Sequence, residues 1–210
     1  MSDDLESILT YFEVYQWEEI FLIGFSLGGN LIGKFIGEKG KDIDSKIKKV
    51  ILVSAPLDLN KSMIKMSKGF NWFYNYHFTY LLKIKFRKKC QAHPHVFDKK
   101  AIKNIKNLRE FDDKITGPYF GFKDAMTYYE WGSCINYIQN SRVPIFIIQA
   151  IDDPIVDVSL HQDLTKHVSS FITTILTEKG GHVGFFGYGN GCKNAHGWLS
   201  HTICNLIDNV

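Results

Sequence analysis

The sequence predicts an α/β fold built on a mostly parallel sheet, and three observations carry that expectation. First, four short apolar runs read as strands: Ile20 to Ile23, "VILVSA" (50–55), "PIFIIQA" (144–150) and "FITTILT" (171–177). They are near-continuously apolar, the pattern of strands buried on both faces. Second, helical stripes alternate with these strands. Leu5, Ile8, Leu9 and Phe12 recur at i, i+3, i+4 and i+7, Leu31, Phe35 and Ile36 form a second stripe, and Leu160, Leu164 and His167 a third. Trp198, Leu199, Ile203, Leu206 and Ile207 close the chain at the same spacing. Strands joined through helices run parallel. Third, 210 residues at 45% hydrophobic content can bury one sizeable core, so a single domain over 1–210 is expected.

Each element has a local reason. Ser2 or Asp3 offers a cap for the first helix. Gly24 bounds the first strand. Residues 56–143 hold no convincing core strand, and so long a connection calls for structure of its own. A mostly helical cap insertion is expected there, with an aromatic run (Phe70, Trp72, Phe73, Tyr74, Tyr76, Phe78) followed by a basic stretch from Lys83 to Lys106.

Composition excludes several classes. A net charge of +3 from 25 basic and 22 acidic residues gives no compact basic face, which argues against a nucleic-acid partner. The acidic first twenty residues contain no Lys or Arg and match no signal or transit peptide, so a reduced, cytoplasmic setting is expected. No run approaches the roughly 20 apolar residues of a membrane span. Cys90, Cys134, Cys192 and Cys204 form no CxxC pair and read as free, buried thiols.

The chemistry lies in "GFSLG", residues 24–28, which matches G-x-S-x-G between a strand and a helix. In that context Ser26 is a nucleophile at the tip of a strained turn, which small neighbours allow strand and helix to make. Its hydroxyl faces a helix N-terminus, where backbone N–H groups favour a developing oxyanion, and Leu27 is expected to donate one of them. The same stretch satisfies G-x-x-x-x-G-K through Gly28, Gly33 and Lys34, but Phe35 stands where a P-loop needs Ser or Thr.

A serine hydroxyl needs a base, and the base an orienting acid, in the order Ser, Asp or Glu, His. "AIDDPIVD" follows the third strand, where such sheets assemble their sites. Asp153, confined to extended or turn geometry by Pro154, is the favoured acid, with Asp152 and Asp157 as alternatives or as turn and cap residues. His182, in the glycine-rich loop after the fourth strand, is the favoured base. His161, His167, His196 and His201 read as surface or packing residues. Cys90, His93 and His95 have a loose metal-like spacing without further ligands and read as local cap structure.

"GFSLGGN", "VSAPLDL", "REFDDKITGPYFGFKDAMTYY" (109–129), "AIDDPIVD" and "GGHVGF" together resemble the α/β-hydrolase superfamily, and within it the YheT-like (AB-hydrolase-4) branch of esterases, lipases and acyltransferases. Carried over residue by residue, the resemblance puts a triad on Ser26, Asp153 and His182, and implies an α/β-hydrolase fold with neither metal nor organic cofactor. It also implies strands and a His-Gly oxyanion loop ahead of the elbow. No His-Gly pair precedes Ser26. A shortened chain, or one whose partner is a missing N-terminal half, is therefore expected, with the elbow strand at an exposed edge.

The expected function is a serine hydrolase of apolar or lipid-like carboxylic esters working through an acyl-enzyme, with the cap aromatics Phe70, Trp72 and Phe73 as substrate contacts. Acyl transfer to an alcohol and an inactive remnant or binding module are the rivals. The basic stretch could attract phosphate-bearing substrates or make peripheral contact with an anionic membrane, but a solvated helix face is the better reading.

Overall fold

The computed structural model describes residues 2–166, 170–187 and 197–208. Cys192, His167 and His196 lie outside the described residues. In chain order the elements are α1 (Ser2–Phe12), β1 (Ile20–Phe25), α2 (Leu27–Lys39), β2 (Ile47–Val53), α3 (Leu59–Met66), α4 (Trp72–Ala92), α5 (Leu108–Phe111), α6 (Gly117–Tyr119), α7 (Ala125–Gly132), β3 (Ile145–Ala150), α8 (Ser159–Lys166), β4 (Ile172–Thr177) and α9 (Trp198–Asp208). They divide into two compact units, one of Met1–Asp58 with Gly132–Val210 and one of Leu59–Trp131.

The first unit is built on four parallel strands in the order β1-β2-β3-β4. Each apolar run of the sequence falls on one of them. In β2, Val50 and Leu52 face one core while Ile51 and Val53 face the other, which is why the strand reads as unbroken apolar sequence. Ile32, Phe35 and Ile36 of α2, Leu5 and Leu9 of α1, and Leu160 and Leu164 of α8 pack on the first face. Trp198, Leu199, Ile203, Leu206 and Ile207 of α9 cover the second. Among the described residues β1 pairs with β2 alone, and its Ile23 and Phe25 are 37% and 46% exposed. Helix α1 buries only half of its expected stripe, since Ile8 and Phe12 are exposed. It begins at Ser2, so Asp3 lies inside its first turn rather than capping it.

The chain leaves this unit at Asp58 and returns at Gly132. The two ends are clipped together where the Ile135 N–H donates to the Leu57 carbonyl at 3.1 Å.

The second unit is helical, with no strand among its residues. Phe86 sits edge-on to Phe97 and Phe111 at 5.7 and 6.2 Å, and Cys90, Ile102 and Ile105 complete that core. The aromatic run lies in the turn before α4 and in the first half of that helix, and the basic stretch begins in its second half and continues past it to Lys106. The "FDD" sequence has a structural use here. Asp112 accepts hydrogen bonds from Thr116 Oγ1 and Tyr129 Oη, both at 2.6 Å, while Asp113 accepts from the Ala125 N–H at the start of α7. Burial raises the Asp112 carboxyl above its ordinary pKa. Cys90 packs as a small apolar side chain and His93 leans on Phe97, so the metal-like spacing serves the core.

The crossing of β1 and α2 sets a strict demand on two glycines. A Cβ on Gly24 would meet Gly29 Cα at 2.7 Å, and one on Gly29 would meet Ala55 Cβ at 2.8 Å. Gly28 faces open space. Thus the second glycine of the pentapeptide is dispensable for packing, and the neighbour after it is not. Gly24→Ala should lower stability by about 1–3 kcal/mol, because only backbone could yield. Gly28→Ala, at a helical position, should be neutral or stabilising by up to about 1 kcal/mol. Urea midpoints of the two variants test the contrast, and equal midpoints would contradict it.

Candidate active site

In a parallel sheet all C-terminal strand ends fall on one edge, which is how residues 156 positions apart come into contact. Ser26 directly follows β1, Asp153 stands three residues beyond β3, and His182 five beyond β4. His182 Nε2 lies 2.9 Å from Ser26 Oγ, and His182 Nδ1 lies 2.9 Å from Asp153 Oδ2. Thus the favoured serine, acid and histidine meet within the first unit.

Ser26 has φ 50° and ψ −126°, a conformation that costs a non-glycine residue about 1–3 kcal/mol. Its surroundings enforce that geometry. The Ser26 N–H donates to the Val53 carbonyl at 2.8 Å, extending the β1–β2 ladder, while its own carbonyl already accepts from the Gly29 and Asn30 N–H groups of α2. The residue therefore belongs to strand and helix at once. The following N–H, that of Leu27, is the first in α2 and lacks an intrahelical acceptor.

Asp153 is fully buried, and each of its oxygens accepts two hydrogen bonds. Oδ1 takes the Ile155 and Val156 N–H groups at 2.8 and 3.0 Å. Oδ2 takes Gln149 Nε2 at 3.0 Å as well as His182 Nδ1. Burial alone would raise the carboxyl pKa, but the bonds from His182, Val156, Ile155 and Gln149 outweigh it and hold the group below its ordinary value. A carboxylate can only accept, so Nδ1 carries the imidazole proton and Nε2 is left to accept from Ser26 Oγ–H. That is the tautomer a general base requires.

The loop bearing His182 is fixed at two points. Asp152, an alternative acid in the sequence, accepts from the Gly181 N–H at 2.9 Å, holding the loop beside His182. Phe185, 1% exposed, stacks on Trp198 at 5.9 Å and anchors the other side. Asp157, the remaining alternative, accepts from the Ser159 N–H at the start of α8 and so serves as a cap. His161 is buried and donates from Nε2 to the Ala55 carbonyl at 3.1 Å, and burial pushes its pKa down to about 4.

Sequence reasoning missed two contributors. Asn30 donates to the Gly132 carbonyl at 2.8 Å and accepts from the Cys134 N–H at 2.9 Å, tying the first turn of α2 to the segment where the chain re-enters this unit. Gln149 is the other, and only its position within an apolar strand could have drawn notice. Phe70, Trp72 and Phe73 belong to the second unit, where they are 95%, 57% and 58% exposed. Among the described residues no cluster of three or more His, Cys, Asp or Glu side chains could hold a metal. No helix among them is long and apolar enough to cross a membrane.

A parallel sheet with flanking helices, carrying a serine at a strained strand-to-helix turn, is the architecture of the α/β-hydrolase fold. The model of the alpha/beta hydrolase fold family matches residues 1–187, and the chain belongs to that family. Within it the chain is YheT-like. It is 36% identical over 169 residues to YheT of Escherichia coli, a protein named as an esterase, covering 79% of this chain and 48% of that one. It is 31% identical over 196 residues to a monoacylglycerol lipase of Saccharomyces cerevisiae, covering 90% and 42%. The structure of a monoacylglycerol lipase from Paleococcus ferrophilus shares the fold with a TM-score of 0.50 at 13% identity, over 97% of this chain and 73% of the other. The chain spans about half the length of the curated relatives it matches.

Because folding lowers the Asp153 pKa from its ordinary 3.8, its ionised form stabilises the native state above that pH, and the contribution is lost as pH falls through the folded value. The stability advantage of the wild type over Asp153→Asn should therefore shrink on acidification below about pH 4. Urea titrations at several pH values measure it, and an advantage independent of pH would contradict the assignment.

Proposed function

We propose that this chain carries the catalytic centre of a carboxylic-ester hydrolase, with Ser26 as nucleophile, His182 as general base and acid, and Asp153 as orienting acid. The observation that carries the reading is the unbroken hydrogen-bonded line from Ser26 Oγ through both nitrogens of His182 to Asp153, 2.9 Å at each step. The esterase and lipase names of the relatives support it.

In this mechanism Ser26 Oγ attacks the ester carbonyl while His182 Nε2 takes its proton. The carbonyl oxygen becomes an oxyanion facing the Leu27 N–H, and the dipole of the 13-residue helix α2 favours the same charge. His182 then returns the proton to the departing alcohol, leaving Ser26 acylated. Water, deprotonated by His182, attacks the acyl-enzyme, and His182 then gives that proton to Ser26 Oγ as the C–Oγ bond breaks, freeing the acid and restoring the enzyme. Asp153, ionised and buried, keeps the imidazole oriented and stabilises its protonated form throughout. An apolar, lipid-like ester is the substrate class, supported by the name of the yeast relative.

A fluorophosphonate probe, which phosphonylates an activated serine, tests the reading directly. Wild-type protein should be labelled and Ser26→Ala should not, while Asp153→Asn should cut turnover of a short-chain aryl ester by about 10⁴-fold with its fold intact. Absence of labelling in folded wild type, or labelling that survives Ser26→Ala, would rule the centre out.

A further inference from the structure

Gln149 stands inside β3 with no exposed surface, between residues that are otherwise apolar. Its Nε2 donates to Asp153 Oδ2 and to the Ala150 carbonyl, each at 3.0 Å. No donor among the described residues reaches its Oε1, which is buried. A glutamine kept for packing alone could be replaced by an apolar side chain of similar volume, removing the buried amide altogether. Here one end of the amide goes without a partner among the described residues while the other serves a carboxylate. The bond is charge-assisted, and it ends on the same oxygen that faces His182.

We propose that Gln149 is a positioning residue for the hydrolytic centre: its amide holds Oδ2 of Asp153 against His182 and tempers the negative charge that this oxygen presents to the imidazole. The inference rests on the ester-hydrolase reading of Ser26, His182 and Asp153. Backbone donors alone hold Oδ1, so the direction of Oδ2 depends on its two side-chain donors. One of these, His182, is the group that must change protonation during the reaction. Gln149 is then the constant member, projecting from a buried strand and unable to titrate.

Charge sharing gives the role a distinctive signature. Without the amide, more negative charge remains on Oδ2 to stabilise the imidazolium, and the acid limb of the rate–pH profile moves to higher pH. At the same time the carboxylate is less well aimed, and the plateau rate falls. The other ionisable groups around Asp153 are His161 on α8, Asp157 at the start of that helix, and Asp152 with Lys179 4.0 Å from it. Substitution at 149 alters none of them, so a difference between profiles reports the Asp153–His182 pair.

The experiment measures the rate of fluorophosphonate labelling against pH for wild type, Gln149→Met and Gln149→Glu, with Ser26→Ala as the blank and circular dichroism as the check on folding. Both variants should lose roughly ten- to a hundredfold in plateau rate. Both should shift the acid limb upward by on the order of half a pH unit or more, the glutamate by adding a second carboxyl beside Asp153. A folded variant with the wild-type limb overturns the role, whether its plateau is unchanged or lowered, since a merely structural residue would leave the limb in place. If the methionine variant does not fold, the near-isosteric glutamate variant decides. Folded wild-type protein without Ser26 labelling removes the hydrolase reading and the role of Gln149 with it. Normal wild-type labelling with unshifted variants removes only the latter.

Discussion

The backbone of β1 meets the backbone of α2 at Gly24 and Gly29, with no room for a methyl group between them. Much of the site depends on that contact. It lets the chain reverse from strand to helix within one residue, which leaves Ser26 at a positive φ immediately before the N-terminus of α2, with its hydroxyl against His182 Nε2. The strain at Ser26 is held by four neighbours: the Val53 carbonyl on one side, the Gly29 and Asn30 amides on the other, and the Asn30 side chain, which fixes the helix start. Close packing below the serine thus becomes exposure and electrostatic preparation above it.

The second organising feature is the buried carboxylate of Asp153. An unpartnered charge at such depth would lose its proton-free form, and four donors prevent that. The arrangement links parts of the chain that have nothing else in common: the β3 interior through Gln149, the turn after it through Ile155 and Val156, and the β4 loop through His182. Asp152 reinforces the last link from the neighbouring position, so the paired aspartates divide the work between orienting the ring and holding its loop.

Much of this was legible in the sequence because the signals were strong and local. The strands stood out as short apolar runs, most cleanly β2 and β3, which are buried along nearly their whole length on both faces, and the serine, acid and histidine could be ranked by their positions after strand ends. What escaped was of two kinds. Gly29 lies outside the G-x-S-x-G pattern, and only the three-dimensional crossing distinguishes it from Gly28, whose surroundings are open. Asn30 and Gln149 are polar residues whose partners are remote in sequence or reached through a turn, and periodicity registers them only as interruptions of an apolar face. The exposed half of α1 was invisible for a related reason, because spacing reveals a stripe but not how much of it finds a partner.

The bond between Leu57 and Ile135 carries a consequence for how this architecture can vary. It closes the junction at which the helical unit enters and leaves, so the sheet experiences that unit chiefly as a loop whose ends are already joined. Closure entropy grows only with the logarithm of loop length, and doubling the inserted segment would add about 0.6 kcal/mol. Insertions or exchanges between Asp58 and Gly132 are therefore cheap for the scaffold holding Ser26, Asp153 and His182. The length of that stretch, unlike the spacing of the strands beneath the serine, is only weakly constrained by chain entropy.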